Sequence, residues 1–202
     1  MINRLDLANR ITVAAADLFR SLHEADTPLI FEALLAAEDG RGQRHLGTDW
    51  LSILRAVALA PVRGRIEGLS TIEHQLARTI FPRGGDHLLR DKFDEIVLAE
   101  RLARRLPKAT IWGAYLELAY YGADLRGYTK IRAIFVKPDA ILDLDSACRI
   151  AACLKYPRPN RDRVKWRARH GRRTAFIREQ VERVRRARSR HSRACSQRQL
   201  LA

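Results

Sequence analysis

Thr27-Pro28-Leu29-Ile30-Phe31-Glu32-Ala33-Leu34-Leu35-Ala36-Ala37-Glu38-Asp39-Gly40 carries the signals of a helix at both ends. Threonine is a favoured N-cap, proline fits the first helical position, and glycine suits the residue just beyond a helix. This reading puts Glu38 and Asp39 in the last turn, against the negative end of the macrodipole. An acid there loses roughly 0.3–1 kcal/mol and its pKa is nudged upward. A carboxylate with raised proton affinity is what a general base requires. A surface acid at a frayed helix end is the plainer reading of the same residues.

Working outward, helix signals recur and alternating strand patterns are nearly absent. Leu5, Ala8, Ile11, Ala15, Leu18, Phe19 and Leu22 mark one face of an amphipathic N-terminal helix. Asp6, Arg10 and Asp17 interrupt it, so it does not read as a signal peptide. A polar loop, Gly40 to Thr48, leads to an apolar helix from Trp50 to Ala60 closed by Pro61. Arg63–Leu69 reads as a loop, and Ser70 opens a helix running to Phe81. Asp86 caps a long helix that ends before Pro107, and another spans Lys108 to Tyr121. Residues 123–142 are less regular. Asp143 caps a last core helix to Lys155, and Pro157-Arg158-Pro159-Asn160 breaks the pattern before a strongly basic helical tail. The fold class is all-α with short connections. It divides into an amphipathic N-terminal helix (1–28), a main body (29–160) and a tail (161–202).

The charge is unevenly spread. Of the net +15, residues 161–202 carry +12, with 15 basic against 3 acidic residues, so the main body is close to neutral. Cys148, Cys153 and Cys195 form no disulfide framework and read as reduced structural thiols. The longest uncharged stretch, Ala109–Leu116, is too short to span a bilayer.

Three segments could carry chemistry. The first is the helix end and polar loop from Glu38 to Asp49. The second is Gly68-Leu69-Ser70-Thr71-Ile72-Glu73-His74-Gln75-Leu76-Ala77-Arg78, whose helix N-terminus suits a phosphate-bearing ligand. Ser70 with Glu73 also forms a capping box that needs no ligand. The third is Leu89-Arg90-Asp91-Lys92-Phe93-Asp94-Glu95, where Lys92 and Glu95 share a helix face. Asp91 favours protonation of Glu95 and Lys92 favours its ionised form. A solvated charged face explains this segment equally simply.

In order and spacing these segments resemble the peptidoglycan glycosyltransferase domain (family 51 glycosyltransferases). Glu38, Asp39, His45 and Gly47 fit that family's E-D-x-x-F-x-x-H-x-G. Gly68, Ser70, Thr71, Ile72, Gln75 and Leu76 fit G-x-S-T-I-T-Q-Q-L, with Arg78 where a lysine is usual, and Lys92 and Glu95 fit R-K-x-K-E. Lys137-Pro138 with Leu142 and Leu144 match K-P-x-x-x-L-x-L, and Tyr115-Leu116 with Tyr120-Tyr121-Gly122 are similar to Y-L-N-x-x-Y-F-G. The departures are Gly42 for the first motif's aromatic, Glu73 and His74 for Thr and Gln, Asp91 for arginine, and Glu117 for asparagine. Added acids weaken binding of a diphosphate, and Arg90 is placed to compensate.

The resemblance implies a lysozyme-like helical glycosyltransferase that polymerises a lipid-linked disaccharide with inversion and loss of a polyprenyl diphosphate. It makes Glu38 the general base and puts Glu95 beside the departing diphosphate. It makes Asp39, His45, Ser70, Thr71, Gln75, Arg78, Arg90 and Lys92 substrate-binding. The one cofactor it allows is a divalent cation, Mg or Mn, although the sequence shows no metal-ligand cluster. It places the protein in the bacterial cell envelope, peripheral on the inner membrane, with the first helix and the basic tail available for anionic lipid. Two other classes remain. One is a non-catalytic relative that binds glycan or lipid carrier. The other is a nucleic-acid-binding protein acting through Arg161–Arg193 with Trp166 and Phe176 interleaved, although the near-neutral body argues against specific nucleic acid.

Overall fold

The computed structural model describes residues 3–63, 70–82, 88–161 and 163–200. The expected Asp86 cap and Gly68 of the second segment lie outside the described residues, as does the side chain of Cys195. The chain is all-α, with nine described helices and one short hairpin: α1 (Arg4–His23), α2 (Thr27–Glu38), α3 (Trp50–Arg63), α4 (Ile72–Ile80), α5 (Leu88–Arg105), α6 (Lys108–Leu118), β1 (Tyr120–Gly122), β2 (Leu125–Arg126), α7 (Tyr128–Phe135), α8 (Leu144–Lys155) and α9 (Arg163–Leu200).

α6 is the centre. Ile111 through Leu116 are all buried, and a helix buried all round has core on every side. α1 and α4 pack against it, α5 packs on α4, and α2, α8 and α9 form a second packed group. α1 places Leu5, Ala8, Thr12, Ala15, Ala16 and Phe19 inward, so most of its apolar face is taken by the core. Leu18 and Leu22, expected on that face, are exposed.

Several helix ends differ from expectation. Thr27 is not an N-cap. A 3-10 turn, Glu24–Asp26, leads into α2 without extended backbone, Asp26 occupies the cap position in αR geometry, and the Thr27 hydroxyl donates to the His23 carbonyl at 3.3 Å. The Asp26 carboxylate serves tertiary structure instead. It accepts from Arg132 Nε at 2.6 Å and from the Tyr128 hydroxyl at 3.0 Å. α3 runs past Pro61 to Arg63. α6 stops at Leu118, and Tyr120–Gly122 pairs antiparallel with Leu125–Arg126. Gly122 has φ +148°, and a Cβ there would lie 2.3 Å from the Arg158 carbonyl oxygen. Asp143 caps α8 as expected, accepting from the Ser146 N–H at 2.6 Å.

From Arg163 to Leu200 the basic segment is one helix, and its first half is part of the core. His170, Thr174, Ile177 and Val181 are buried at helical spacing, and the Trp166 indole donates to the Tyr156 carbonyl at 2.8 Å. Most of its described arginines face outward, with Arg185 donating to Glu32 at 2.6 Å, and Arg173 is the partly buried exception. Cys148 and Cys153 are free and buried, and burial pushes their thiols up to about 11 and about 12.

Candidate active site

Glu38 is the last residue of α2, which ends because Asp39 turns out of the helix (φ −154°, ψ 71°) while its N–H still bonds the Leu35 carbonyl at 3.0 Å. The turn sends the two acids to different partners. Glu38 Oε2 accepts from Gln75 Nε2 at 3.0 Å, and Gln75 Oε1 accepts from the Tyr115 hydroxyl at 2.6 Å. That hydroxyl is held protonated by burial and by the charge of Glu38, so it fixes which end of the Gln75 amide faces the acid. Glu38 Oε1 is buried with no hydrogen-bond partner, and Arg173 Nη2 of α9 stands 3.6 Å away. The guanidinium is held by donation to the Ala37 carbonyl and by lying over the Phe176 ring, 5.2 Å from its centroid. Burial raises the Glu38 pKa, while the Gln75 hydrogen bond and the charges of Arg173 and Lys155 pull it partly back. The upward shift matches expectation, but loss of hydration is its chief cause rather than the helix end.

Asp39 accepts from His45 Nε2 at 3.0 Å and from the Ile72 N–H at 3.4 Å. Gly47 has φ +88°, and a Cβ there would lie 2.7 Å from Glu100 Cα on α5. The loop that leaves Glu38 is therefore laid directly on the backbone of the helix that carries Glu95. The Thr71 hydroxyl donates to the Gly47 carbonyl at 2.6 Å, and Thr48 Oγ1 meets His74 Nε2 at 3.0 Å. Asp39, His45 and Thr71 are thus buried and bonded to one another or to this loop.

The Ser70–Glu73 capping box is not formed. Thr71 is the N-cap of α4 and accepts from the His74 N–H at 3.3 Å. Glu73 instead points into the protein, fully buried, and pairs with Lys108 at the start of α6. Ser70 is half-buried at the α4 entry.

On α5, Lys92 Nζ donates to Glu95 Oε1 at 2.6 Å, and Glu95 is buried. Glu95, Asp91, Asp94, Arg4, Phe81 and Arg101 line a cavity of about 400 Å³. Arg90 is exposed and Arg78 half-buried. Glu38 is not among the residues that line this cavity. What joins Glu38 and Glu95 is the first turn of α4: Gln75 holds Glu38, while the adjacent His74 feels the charges of Lys92, Glu95, His45 and Arg78. Burial, with Lys92 next, lowers His74 to about 4, so it is neutral near pH 7.

A second cavity of about 780 Å³ lies between the end of α2 and α9, lined by Leu35, Ala36, Gly42, Phe176, Val181 and Val184 among others. Gly42 stands where the resembled motif has an aromatic, and a Cβ there would already lie 2.7 Å from Leu35 Cδ2.

Metal-capable donors do converge, contrary to expectation. One donor atom each from Asp39, His45 and Glu73 lies within 4.8 Å of the others. Sequence reasoning missed this because Glu73 counted as a cap. It also missed Arg173, which sat within a run of arginines. The signal was there: residues 170, 174, 177 and 181 set the inward face of α9, and 173 borders it. Tyr115 was seen only as part of a motif.

The transglycosylase family model matches residues 16–182. Among curated relatives, the biosynthetic peptidoglycan transglycosylase of Thiobacillus denitrificans is 34% identical over 128 residues, covering 62% of this chain and 55% of that protein. The protein of the same name from Bordetella pertussis is 35% identical over 133 residues, covering 63% and 54%. Penicillin-binding protein 1A of Escherichia coli is 35% identical over 132 residues, covering 64% of this chain and 15% of that protein. The chain thus spans about half the length of the shorter relatives it matches.

Proposed function

This chain belongs to the transglycosylase family, and from that premise we propose that it polymerises a lipid-linked disaccharide of the lipid II type into glycan strands. The observation that carries this reading is Glu38: a buried carboxylate with one oxygen fixed by Gln75 and the other without a hydrogen bond. Such an acid is oriented and proton-hungry, and its second oxygen faces the Arg173 guanidinium, 3.6 Å away. Glu38 Oε1 takes the proton of the acceptor sugar's 4-hydroxyl as that oxygen bonds to the donor's anomeric carbon. The bond from that carbon to the diphosphate breaks with its electron pair, and the configuration inverts.

Lys92, with Arg78 and exposed Arg90, neutralises the departing diphosphate beside Glu95. Ser70 and Gln75 face the donor at the α4 entry. Asp39, His45 and Thr71 act one step back, by holding the loop that sets the position of Glu38. A Mg or Mn ion travelling with the diphosphate would meet Glu95 already paired with Lys92. Among the described residues no second and third donor converge with Glu95, so no step here runs through that ion. Arg173, with Gln75 and Lys155, moderates the proton affinity that burial gives Glu38.

The substrate class places the work at a bilayer surface, and we propose a position at the periphery of the bacterial inner membrane. No described helix is long and apolar enough to cross a membrane. Contact is supported by Trp50, Leu51 and Leu54 of α3, which are 61, 59 and 67% exposed. The outward arginines of α9 suit anionic headgroups, each worth about 1 kcal/mol near such a surface.

The test is polymerisation of purified lipid II by wild type beside Glu38→Gln. Turnover by the wild type and its loss in a folded Glu38→Gln protein are expected. Failure of the wild type to consume substrate under any metal condition, or undiminished turnover by the variant, would overturn the assignment.

A further inference from the structure

We propose that Asp39, His45 and Glu73 form a site for a transition-metal dication, with zinc the best match. The three residues come from the end of α2, the following loop and the first turn of α4, and one donor atom from each lies within 4.8 Å of the others. All are withdrawn from solvent: Asp39 is 8% exposed, Glu73 0%, and the His45 side chain 6%. His45 Nε2 and Asp39 Oδ2 are 3.0 Å apart. Two ligands about 2.1 Å from a shared tetrahedral ion stand about 3.4 Å apart, so this pair is already at the required spacing. The wider pairs need to close by about 1 Å.

A second, independent observation concerns partners. Glu73 Oε2 is buried with no hydrogen-bond partner, while Lys108 occupies the other oxygen. His45 Nδ1 is likewise buried without one. A buried carboxylate oxygen without a donor is costly and rarely kept. An ion at the cluster gives it a partner. Glu73 stands where the resembled motif has a threonine, so the extra charge is particular to this chain.

Asp39 and Glu73 against Lys108 leave one carboxylate charge uncompensated, and a dication is attracted to it. On binding, the proton between His45 Nε2 and Asp39 is lost or passes to Nδ1, and the ion takes its place. The Ile72 N–H on Asp39 and the Lys108 ammonium on Glu73 then orient the ligands from outside. One nitrogen and two carboxylate oxygens favour zinc over the harder magnesium, which prefers oxygen alone and keeps its water.

The probe is zinc itself, measured by metal analysis after dialysis of the full chain, with thermal melting in zinc and in EDTA. Wild type is expected to retain about one zinc per chain and to melt higher in zinc than in EDTA. Glu73→Gln keeps an acceptor for Lys108 but loses the charge. It is expected to melt below wild type in EDTA, because Lys108 loses its carboxylate, but to gain nothing from added zinc and to retain at least tenfold less of it; His45→Gln, which loses a ligand and its bond to Asp39, is expected to do the same. A Cys195→Ser/His191→Gln protein controls for zinc held by the tail. No retained zinc in the wild type, or zinc that survives Glu73→Gln and disappears with the tail changes, would overturn the site. Because the readout is metal content, either outcome leaves the glycosyl-transfer proposal to its own test.

Discussion

Replacing Arg173 with glutamine should move the acidic limb of the pH–rate profile. The guanidinium stands 3.6 Å from Glu38 Oε1, with the two side chains 16 and 15% exposed. At that separation a pair of unit charges is worth about 1 kcal/mol at the dielectric of water and about 4–5 kcal/mol at an effective dielectric of 20. The direction of the shift follows from the burial of Glu38, which raises its pKa, and from Arg173, which opposes that rise. Without the cation the carboxylate is protonated up to a higher pH. A base works only when ionised, so activity is lost first on the acidic side. In a lipid II polymerisation assay, kcat/KM against pH should show the rising limb displaced to higher pH, with much of the plateau recovered at high pH. Arg173→Lys keeps a charge at that place and should leave the limb near its wild-type position. A profile for Arg173→Gln that drops evenly at every pH, with its limb unmoved, would refute the electrostatic coupling and leave Arg173 a structural clamp on Ala37.

Further expectations can be checked directly. Glu38→Gln should raise the melting temperature near pH 7, because it removes a carboxylate whose ionisation burial opposes. The gain should shrink as pH falls through the raised folded pKa and vanish below about 4.5, the unfolded value, where both states hold the proton. Tyr115→Phe removes the donor that orients Gln75 and should lower kcat by about tenfold with KM little changed, as judged by steady-state polymerisation kinetics. Asp26→Asn leaves the Arg132 guanidinium without its carboxylate in a site where its side chain is 17% exposed, and should cost about 3 kcal/mol in urea unfolding. Gly47→Ala should cost about 1–3 kcal/mol from its positive φ and its contact with α5, and should depress polymerisation.

The parts of this molecule that could be read along the chain are those whose causes are local. The Asp143 cap and the end of α5 ahead of Pro107 both follow from residues within a few positions. The parts that could not be read depend on partners far away in sequence. Asp26 leaves its cap role because Arg132 and Tyr128 reach it from α7. Glu73 abandons Ser70 for Lys108. Arg173 was hidden because arginines outnumber the few inward residues of α9, and composition averages over faces that packing separates. The link between the two acids is of the same kind, running through α4 and through the Gly47 loop against α5.

The course of α9 also decides how the cationic end of the chain can be investigated. A truncation at Asn160 removes the positively charged extension, but it also takes away the guanidinium beside Glu38 and the Ile177 and Val181 side chains that seal the protein's interior. Any defect it produced would be uninterpretable as a loss of surface charge. Neutralising single arginines beyond Arg188, one at a time, leaves the inward half of the rod in place. That is the perturbation by which attraction to a membrane or to any polyanion can be weighed separately from the integrity of the catalytic base.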